Sequence, residues 1–371
     1  MPRLVLRRAI PWISFHLGLV VLVLLALEVY LRRTSTHVVE ENEKSILDRR
    51  FILSTERLIR NTPQGRRLIP GARVIIRNHG TSGRDVHVHI NSLGFRDNEI
   101  AMPKPAGEYR ILVLGDSITW GDYLEAEEVY VERMQQHLAT LVPGRRLEVV
   151  NAGVGDVGLA EEMAILKETG VSVQPDLVVV SFYLNDSRPP WGFTGELGSR
   201  GWLRRHSLLA ETVYKQMKVR QWLREGGEDR VRWAEARKTL DWKHRREAFV
   251  EFARLANFDW GAAWVPSSWE TVDRELDTLA GLSKEHGFRV AVVCFPVSYQ
   301  VYADFVEDGP QRALGEKAEQ RGFAYLDLLP LLRRSKDSDL YFDHCHPREV
   351  PNTIIGRAIA DFVHGEGLTP R

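Results

Sequence analysis

Hydrophobic and polar residues follow three patterns along this 371-residue chain. Residues 9–31 are almost wholly apolar, and residues 72–76 and 86–90 alternate between apolar and polar positions. From residue 109 onward, short apolar runs alternate with segments in which apolar residues recur every three or four positions. The runs predict five strands, at residues 110–114, 147–150, 177–182, 289–295 and 323–326. The recurring positions predict helices around Tyr130, Met134, Leu138 and Leu141, around Leu276, Leu279 and Leu282, and around Ile355, Ile359 and Phe362.

Alternation of strands with helices is typical of an α/β domain in which helices cover both faces of a parallel sheet. The run 177–182 is continuously apolar, as expected for a strand that is buried on both faces. We therefore predict a flavodoxin-like three-layer αβα sandwich with a mostly parallel five-stranded sheet. In such sheets, sites form beyond the carboxyl ends of the strands.

The apolar N-terminal segment is long enough to cross a membrane, since about twenty helical residues span a hydrocarbon core of roughly 30 Å. Arg3, Arg7 and Arg8 precede it, and Arg32 and Arg33 follow it. This balance favours a cytoplasmic N-terminus and places the rest of the chain outside the cytoplasm, in the periplasm or at the cell surface. A cleaved signal peptide and a buried core helix are the alternatives. The length of the run and the absence of a small-residue cleavage site favour an uncleaved anchor.

Four regions follow from these patterns. Residues 1–33 are the predicted anchor, 34–66 a charged helical stalk, 67–108 a small β extension built on a hairpin, and 109–371 the main domain. An insertion at 187–269 interrupts the main domain between its third and fourth strands.

Composition narrows the possible functions only slightly. Fifty basic residues balance fifty acidic ones, so no overall charge favours nucleic acid as a partner. Two cysteines exclude a disulfide scaffold, and their spacing favours two free thiols at Cys294 and Cys345 over a bond between them.

Two short segments carry the chemistry. Gly115, Asp116 and Ser117 follow the first predicted strand directly, where a sharp turn would expose a nucleophilic serine. A serine hydroxyl needs a base at neutral pH, and His346 near the C-terminus is a suitable imidazole. Asp343, three residues earlier, can orient and charge-stabilise that ring. The combination predicts a serine hydrolase or an acyltransferase.

The order of four blocks resembles the SGNH (GDSL) hydrolase family, in its bacterial branch with an N-terminal membrane anchor. The blocks are Gly115-Asp116-Ser117, Asn151-Ala152-Gly153-Val154-Gly155, Leu184-Asn185-Asp186 and Asp343-x-x-His346-Pro347. The segment Ile90-Asn91-Ser92-Leu93-Gly94-Phe95-Arg96 is similar to one found just upstream in anchored members. The resemblance covers roughly residues 85–365, without the insertion.

The resemblance implies that Ser117, His346 and Asp343 form a catalytic triad and that Asn185 donates to the oxyanion from its side-chain amide. It also implies a backbone donor from the second block, which falls on Gly155 or Asp156. Two positions depart from the family pattern: Asp156 and Tyr183 stand where the family has glycine. A carboxylate beside a developing oxyanion is unfavourable unless it points away.

No cofactor and no metal are expected. His344 lies between Asp343 and His346 and suggests metal ligation, but no matching cluster accompanies it, which favours a solvated loop histidine. Residues 153–158 follow a strand but lack the glycine spacing of a dinucleotide-binding loop.

The insertion is the most individual part of the chain. It holds eight of the ten tryptophans: Trp191, Trp202, Trp222, Trp233, Trp242, Trp260, Trp264 and Trp269. Leu209, Val213 and Met217 fit one helical face, and Phe249, Phe252 and Ala256 fit another, so we predict a helical cap over the site. The aromatic residues would either pack a small core of the cap or contact sugar rings or acyl chains.

Three functions remain open. The leading one is an anchored esterase acting on an acylated carbohydrate or a small ester. The second is an O-acyltransferase that modifies an exported polysaccharide with the same triad. The third is a non-catalytic component that binds or assembles polysaccharide.

Overall fold

The computed structural model describes residues 2–40, 58–187, 202–224 and 228–370. Ten strands lie in these ranges: β1 (His37–Glu40), β2 (Ile59–Thr62), β3 (Gly65–Leu68), β4 (Arg73–Arg77), β5 (Val86–His89), β6 (Glu108–Gly115), β7 (Arg146–Asn151), β8 (Leu177–Tyr183), β9 (Arg289–Phe295) and β10 (Ala324–Asp327).

The same ranges hold thirteen α-helices. They are α1 (Pro2–Thr34), α2 (Ser117–Trp120), α3 (Tyr130–Leu141), α4 (Leu159–Glu168), α5 (Trp202–His206), α6 (Leu208–Arg224), α7 (Glu228–Thr239), α8 (Arg246–Leu255), α9 (Ser268–His286), α10 (Ser298–Tyr302), α11 (Gly309–Glu319), α12 (Leu329–Arg333) and α13 (Glu349–Gly365).

Strands β6 to β10 form one sheet in the order β10-β9-β8-β6-β7, and every neighbouring pair is parallel. This is the flavodoxin-like strand order, so the predicted fold class and its five strands are confirmed. All seven residues of β8 are buried, as the continuous apolar run predicts. Helix α3 packs against α13, while α4 packs against α9, and these pairs belong to the helical layers around the sheet. The strand order reverses between β6 and β8, which is where ligands bind in such folds.

The N-terminal β extension differs in part from its prediction. The expected hairpin is confirmed, since β4 pairs with β5 in antiparallel register. The expectation of a helical stalk over 34–66 is wrong at its described ends. Strand β1 pairs with β4 in antiparallel register and buries His37, Val38 and Val39, so these residues are held by cross-strand contacts rather than in a helix. Strand β2 pairs with β3. Residues 41–57 lie outside the described ranges.

Within the insertion, the two predicted helices are confirmed as α6 and α8, and the described part also holds α5 and α7. Phe249, Phe252 and Ala256 are fully buried, and Trp260 joins them with no exposed surface. The face predicted from Leu209, Val213 and Met217 is not covered in the same way, since Val213 and Met217 are 51% and 62% exposed. Periodicity identifies an apolar face but not what covers it.

The other tryptophans of the insertion divide in the same way. Trp202 is 70% exposed. Partly buried against the main core are Trp233, Trp242, Trp264 and Trp269. Trp191 and the side chain of Trp222 lie outside the described part of the chain. Most of the described tryptophans therefore pack a core, as one of the two alternatives predicts.

Candidate active site

The turn that follows β6 holds Ser117 at the start of a helix. Strand β6 ends at Gly115, and Asp116 caps α2 by accepting a hydrogen bond from the backbone N–H of Ile118 at 2.9 Å. A Cβ on Gly115 would lie 2.0 Å from the Thr119 hydroxyl oxygen, so only glycine allows this close approach of strand and helix. The turn places Ser117 at the carboxyl end of the sheet, with its side chain partly accessible.

The structure brings Ser117, His346 and Asp343 together although 229 positions separate the serine from the histidine. His346 Nε2 lies 3.0 Å from Ser117 Oγ, and His346 Nδ1 lies 2.7 Å from Asp343 Oδ2. The other carboxylate oxygen of Asp343 accepts the backbone N–H groups of Cys345 and His346, each at 2.9 Å. The three-residue spacing therefore lets one carboxylate fix both the loop and the imidazole.

The same contacts set the ionisation of the pair. Burial opposes the charge on Asp343, but the hydrogen bond and positive charge of His346 outweigh it and hold the pKa of that carboxyl well below its usual range. Burial also disfavours the imidazolium, yet the hydrogen bond and charge of Asp343 raise the pKa of His346 above its ordinary value of 6.5. The imidazole is thus a stronger base than a free histidine.

Tyr123 is a residue of the site that the sequence patterns missed. Its buried ring packs on the His346 imidazole with 4.8 Å between ring centroids, and Phe342 packs edge-on against the Tyr123 ring. These aromatic contacts restrict the imidazole plane. No motif indicates Tyr123 in advance, because the contact depends on where two distant loops meet.

Asn185 lies at the same sheet edge as Ser117. It sits in the short 3₁₀ turn Leu184–Ser187 directly after β8, the neighbour of β6. Asp186 closes this turn by accepting the backbone N–H of Tyr183 at 2.8 Å. Asn185 is 8% exposed, and its side-chain oxygen makes no hydrogen bond within the described residues. The Asn185 amide is therefore buried at the same carboxyl end of the sheet as Ser117.

The loop after β7 is held against the Ser117 turn. The backbone N–H of Val154 donates to Gly115 O at 3.1 Å, and the Asn151 amide donates to Thr119 O at 2.8 Å. A Cβ on Gly155 would lie 2.6 Å from the Trp120 ring, so this loop packs directly on α2. The second block is therefore placed beside Ser117, as the resemblance implies.

Asp156 takes the left-handed backbone conformation, with φ of 62°, in which glycine is more usual. Its carboxylate forms an ion pair with Arg66 Nη1 at 2.8 Å. Arg66 belongs to β3 of the N-terminal extension. The side chain is therefore turned toward β3 and neutralised there, which removes the objection to a carboxylate at this position. Sequence patterns gave no indication of Arg66.

Tyr183, the second departure from the family pattern, is fully enclosed. It is 1% exposed, and its hydroxyl finds no hydrogen-bond partner in the described ranges. Burial raises the pKa of this phenol well above its ordinary value. A bulky ring therefore fills space behind the Asn185 turn that a glycine would leave open.

The expectation of a solvated His344 is wrong. Its Nε2 lies 2.9 Å from a carboxylate oxygen of Asp259 in the insertion, and Trp233 packs edge-on against its ring at 5.9 Å. The insertion thus holds the loop that carries His346. Ligand atoms of Asp343, His344 and Cys345 lie within 4.8 Å of one another, but the first two already hold His346 and Asp259. Cys345 and Cys294 are buried free thiols, as their spacing predicts.

Comparison with known proteins shows a similarity of fold only. No protein-family model and no curated protein matches this sequence. Among solved structures, LAE5, an alpha/beta hydrolase enzyme from the metagenome of Lake Arreo, is 15% identical over 71% of this chain and 97% of its own, with a TM-score of 0.40. TesA is 17% identical over 70% of this chain and 99% of its own, with a TM-score of 0.40. A catalytic variant of the acetylxylan esterase Axe2 from Geobacillus stearothermophilus is 15% identical over 71% and 97%, with a TM-score of 0.41. At these scores the similarity supports no inference about activity.

Proposed function

We propose that this protein is a serine esterase of the SGNH type, anchored in a membrane by its N-terminal helix. The observation that carries the proposal is the position of His346, whose two ring nitrogens lie 3.0 Å from Ser117 Oγ and 2.7 Å from Asp343 Oδ2. Nucleophile, base and orienting carboxylate in hydrogen-bond contact are the arrangement that acyl transfer requires. The substrate class is an acylated carbohydrate or a small ester.

The reaction follows from these contacts. His346 Nε2 accepts the Ser117 proton while Oγ attacks the ester carbonyl carbon, and Asp343 stabilises the imidazolium that forms. The oxyanion accepts hydrogen bonds from the Ser117 backbone N–H, the Asn185 amide and a backbone N–H at Gly155 or Asp156. The C–O bond then breaks, and His346 gives its proton to the departing alkoxide. Water attacks the acyl-enzyme with the same base, releasing the acid and restoring Ser117.

The full-length protein in detergent micelles tests this proposal. We expect a fluorophosphonate probe to label it and p-nitrophenyl acetate to be hydrolysed, with both signals lost in Ser117→Ala. Ser172→Ala, which changes an exposed serine, is the matched control and should keep both. A folded parent that neither labels nor hydrolyses the ester would refute the esterase and leave a binding role. Transfer of the acyl group to a sugar hydroxyl in preference to water would show an acyltransferase.

The anchor is the second part of the proposal. Segment Ser14–Thr34 of α1 is long and apolar enough to span a membrane, and none of it is buried in the structure. The three arginines before it and the two after it favour a cytoplasmic N-terminus, and we propose that the main domain lies outside the cytoplasm. A membrane-impermeant maleimide should label Met102→Cys in intact spheroplasts and Arg3→Cys only after lysis. The reverse pattern would refute this orientation, and a shortened mature chain would show a cleaved signal peptide.

A further inference from the structure

The last turns of α1 are attached to the insertion through a charged residue of the apolar segment. Glu28 accepts hydrogen bonds from the Ser207 hydroxyl at 2.8 Å and from the backbone N–H groups of Leu208 and Leu209, each at 3.0 Å. Glu28 therefore caps the N-terminus of α6 from a different helix, where a negative charge is favoured. Arg32 completes the joint by binding Glu28 at 2.6 Å and His206 O at 2.9 Å.

This joint lies at one end of the apolar segment. All positions of α1 from 14 to 27 are exposed, while Glu28, Leu31 and Arg32 are partly covered. An ionised carboxylate in the hydrocarbon centre is costly, whereas at the end of a span it lies near the headgroups. The contact therefore fixes α5 and the start of α6 at the level where α1 leaves the membrane.

The α5–α6 pair carries an unusual share of the exposed apolar surface. Outside α1, seven large hydrophobic residues are exposed in the described ranges, and four of them lie on this pair. They are Trp202, Leu203, Val213 and Met217, exposed by 70%, 61%, 51% and 62%. Val213 and Met217 are four positions apart and thus share one helical face. Lys215 supplies an exposed positive charge nearby, with 63% of its side chain accessible.

We propose that α5 and α6 form a second membrane contact, lying in the interface of the bilayer that α1 crosses. The lipid surface is the occupant because Glu28 and Arg32 join this apolar pair of helices to the end of the helix that crosses the bilayer. Tryptophan is enriched at that depth, and basic residues favour anionic headgroups. This inference rests on the proposed anchor and adds that the protein is held at two places.

The end of α1 also contacts the segment between β4 and β5. The side-chain amide of Asn78 donates to Arg33 O at 3.1 Å, and the backbone carbonyl of Asn78 accepts from the Thr36 hydroxyl at 2.6 Å. The next residue, His79, lies 3.3 Å from a carboxylate oxygen of Asp122, which precedes Tyr123 on the catalytic imidazole. A short series of contacts thus connects the end of α1 with the loop around His346.

Depth measurements on the full chain test the second contact. In Met217→Cys, a nitroxide label is attached to the new cysteine, and the protein is placed in nanodiscs of phosphatidylethanolamine and phosphatidylglycerol. The collision rate of the label with oxygen is then compared with its collision rate with a water-soluble nickel chelate. Leu22→Cys in α1 reports on the anchor, and Met102→Cys, 45% exposed near the amino end of β6, reports on water. The two native cysteines are buried and should remain unlabelled.

We expect Leu22 to collide mainly with oxygen, Met102 mainly with the chelate, and Met217 to show an intermediate ratio at headgroup depth. A Met217 ratio equal to that of Met102, with Leu22 in lipid, would overturn the second contact and leave the anchor standing. A water-exposed Leu22 would overturn the anchor itself.

Removal of the cap tests the role of Glu28. In Glu28→Ala, we expect the ratio of collision rates at the Met217 label to change at least severalfold toward the ratio at Met102. The ratio at the Leu22 label should be unchanged. Glu285→Ala, which removes a carboxylate with 70% of its side chain exposed, is the matched control and should leave both labels in place. An unmoved Met217 label in a normally folded Glu28→Ala protein would refute the role of Glu28.

Discussion

The ion pair between Arg66 and Asp156 yields a prediction that separates electrostatics from packing at the proposed oxyanion hole. Arg66 lies on β3, outside the main sheet, and reaches the loop after β7. Replacing it by methionine keeps most of the side-chain volume but removes the ion pair between Arg66 and the Asp156 carboxylate. Negative charge would then face the developing oxyanion, so catalysis should slow.

The magnitude follows from Coulomb's law. Two like unit charges about 7 Å apart repel each other by roughly 2 kcal/mol at an effective dielectric constant of about 20. Asp156 keeps 34% of its side chain exposed, so water screens part of this repulsion. We therefore expect a loss of about 1.4 kcal/mol, which corresponds to about a tenfold fall in kcat/KM.

The assay is hydrolysis of p-nitrophenyl acetate by the full chain. Arg60→Met, which removes an exposed arginine from the same hairpin, is the control and should leave kcat/KM unchanged. In Arg66→Met/Asp156→Gly, most of the rate should return, because the negative charge is gone and glycine accepts the positive φ. The reasoning fails if Arg66→Met hydrolyses the ester at the parent rate, or if the double variant is as slow as Arg66→Met.

Three further predictions concern the base, the donor loop and the insertion. Because Asp343 raises the pKa of His346, kcat/KM should rise with pH through a midpoint above 6.5, and Asp343→Asn should lower that midpoint together with kcat; an unchanged midpoint would contradict this. Gly155→Ala should reduce kcat by about 10²-fold in a folded protein, because its Cβ would push the loop off the Trp120 ring. Gly281→Ala is the control, since the space around Gly281 is open. Equal kcat in the two variants would argue against a role for the loop. Trp260→Ala should lower the free energy of unfolding by about 3–5 kcal/mol in denaturant titrations, whereas exposed Trp202→Ala should change it by less than about 0.5 kcal/mol; similar losses would contradict the packing described for the insertion.

Much of the fold could be predicted from local pattern. Strands β8 and β9 of the main sheet are nearly continuous apolar runs because both faces of the sheet are covered there, and burial of all seven β8 residues shows this directly. The helical stalk is wrong at its described ends, because the charge and polarity of residues 34–66 suggest a solvated helix whereas these ends form strands. Strand β1 is specified instead by its pairing with β4, about 36 positions away along the chain.

The candidate site divides in the same way. Ser117, Asn185, Asp343 and His346 were predicted because each lies in a short segment with a recognisable local form. Contacts between distant segments left no such signal. Arg66 reaches Asp156 from another element, and Asp259 reaches His344 across 85 positions. Neither contact has a spacing that a single sequence could reveal.

The Asp259–His344 contact has a consequence for how affinity and reactivity can vary in this protein. The insertion and the loop that carries His346 share this hydrogen bond, so a ligand that shifts the insertion also changes the free energy of the His346 position. Such coupling is reciprocal: a change at His346 that favours one loop arrangement must alter ligand affinity at the insertion by the same factor. Ligand affinity at the insertion and the population of the loop arrangement that positions His346 are therefore linked, and a substitution that shifts one equilibrium will shift the other.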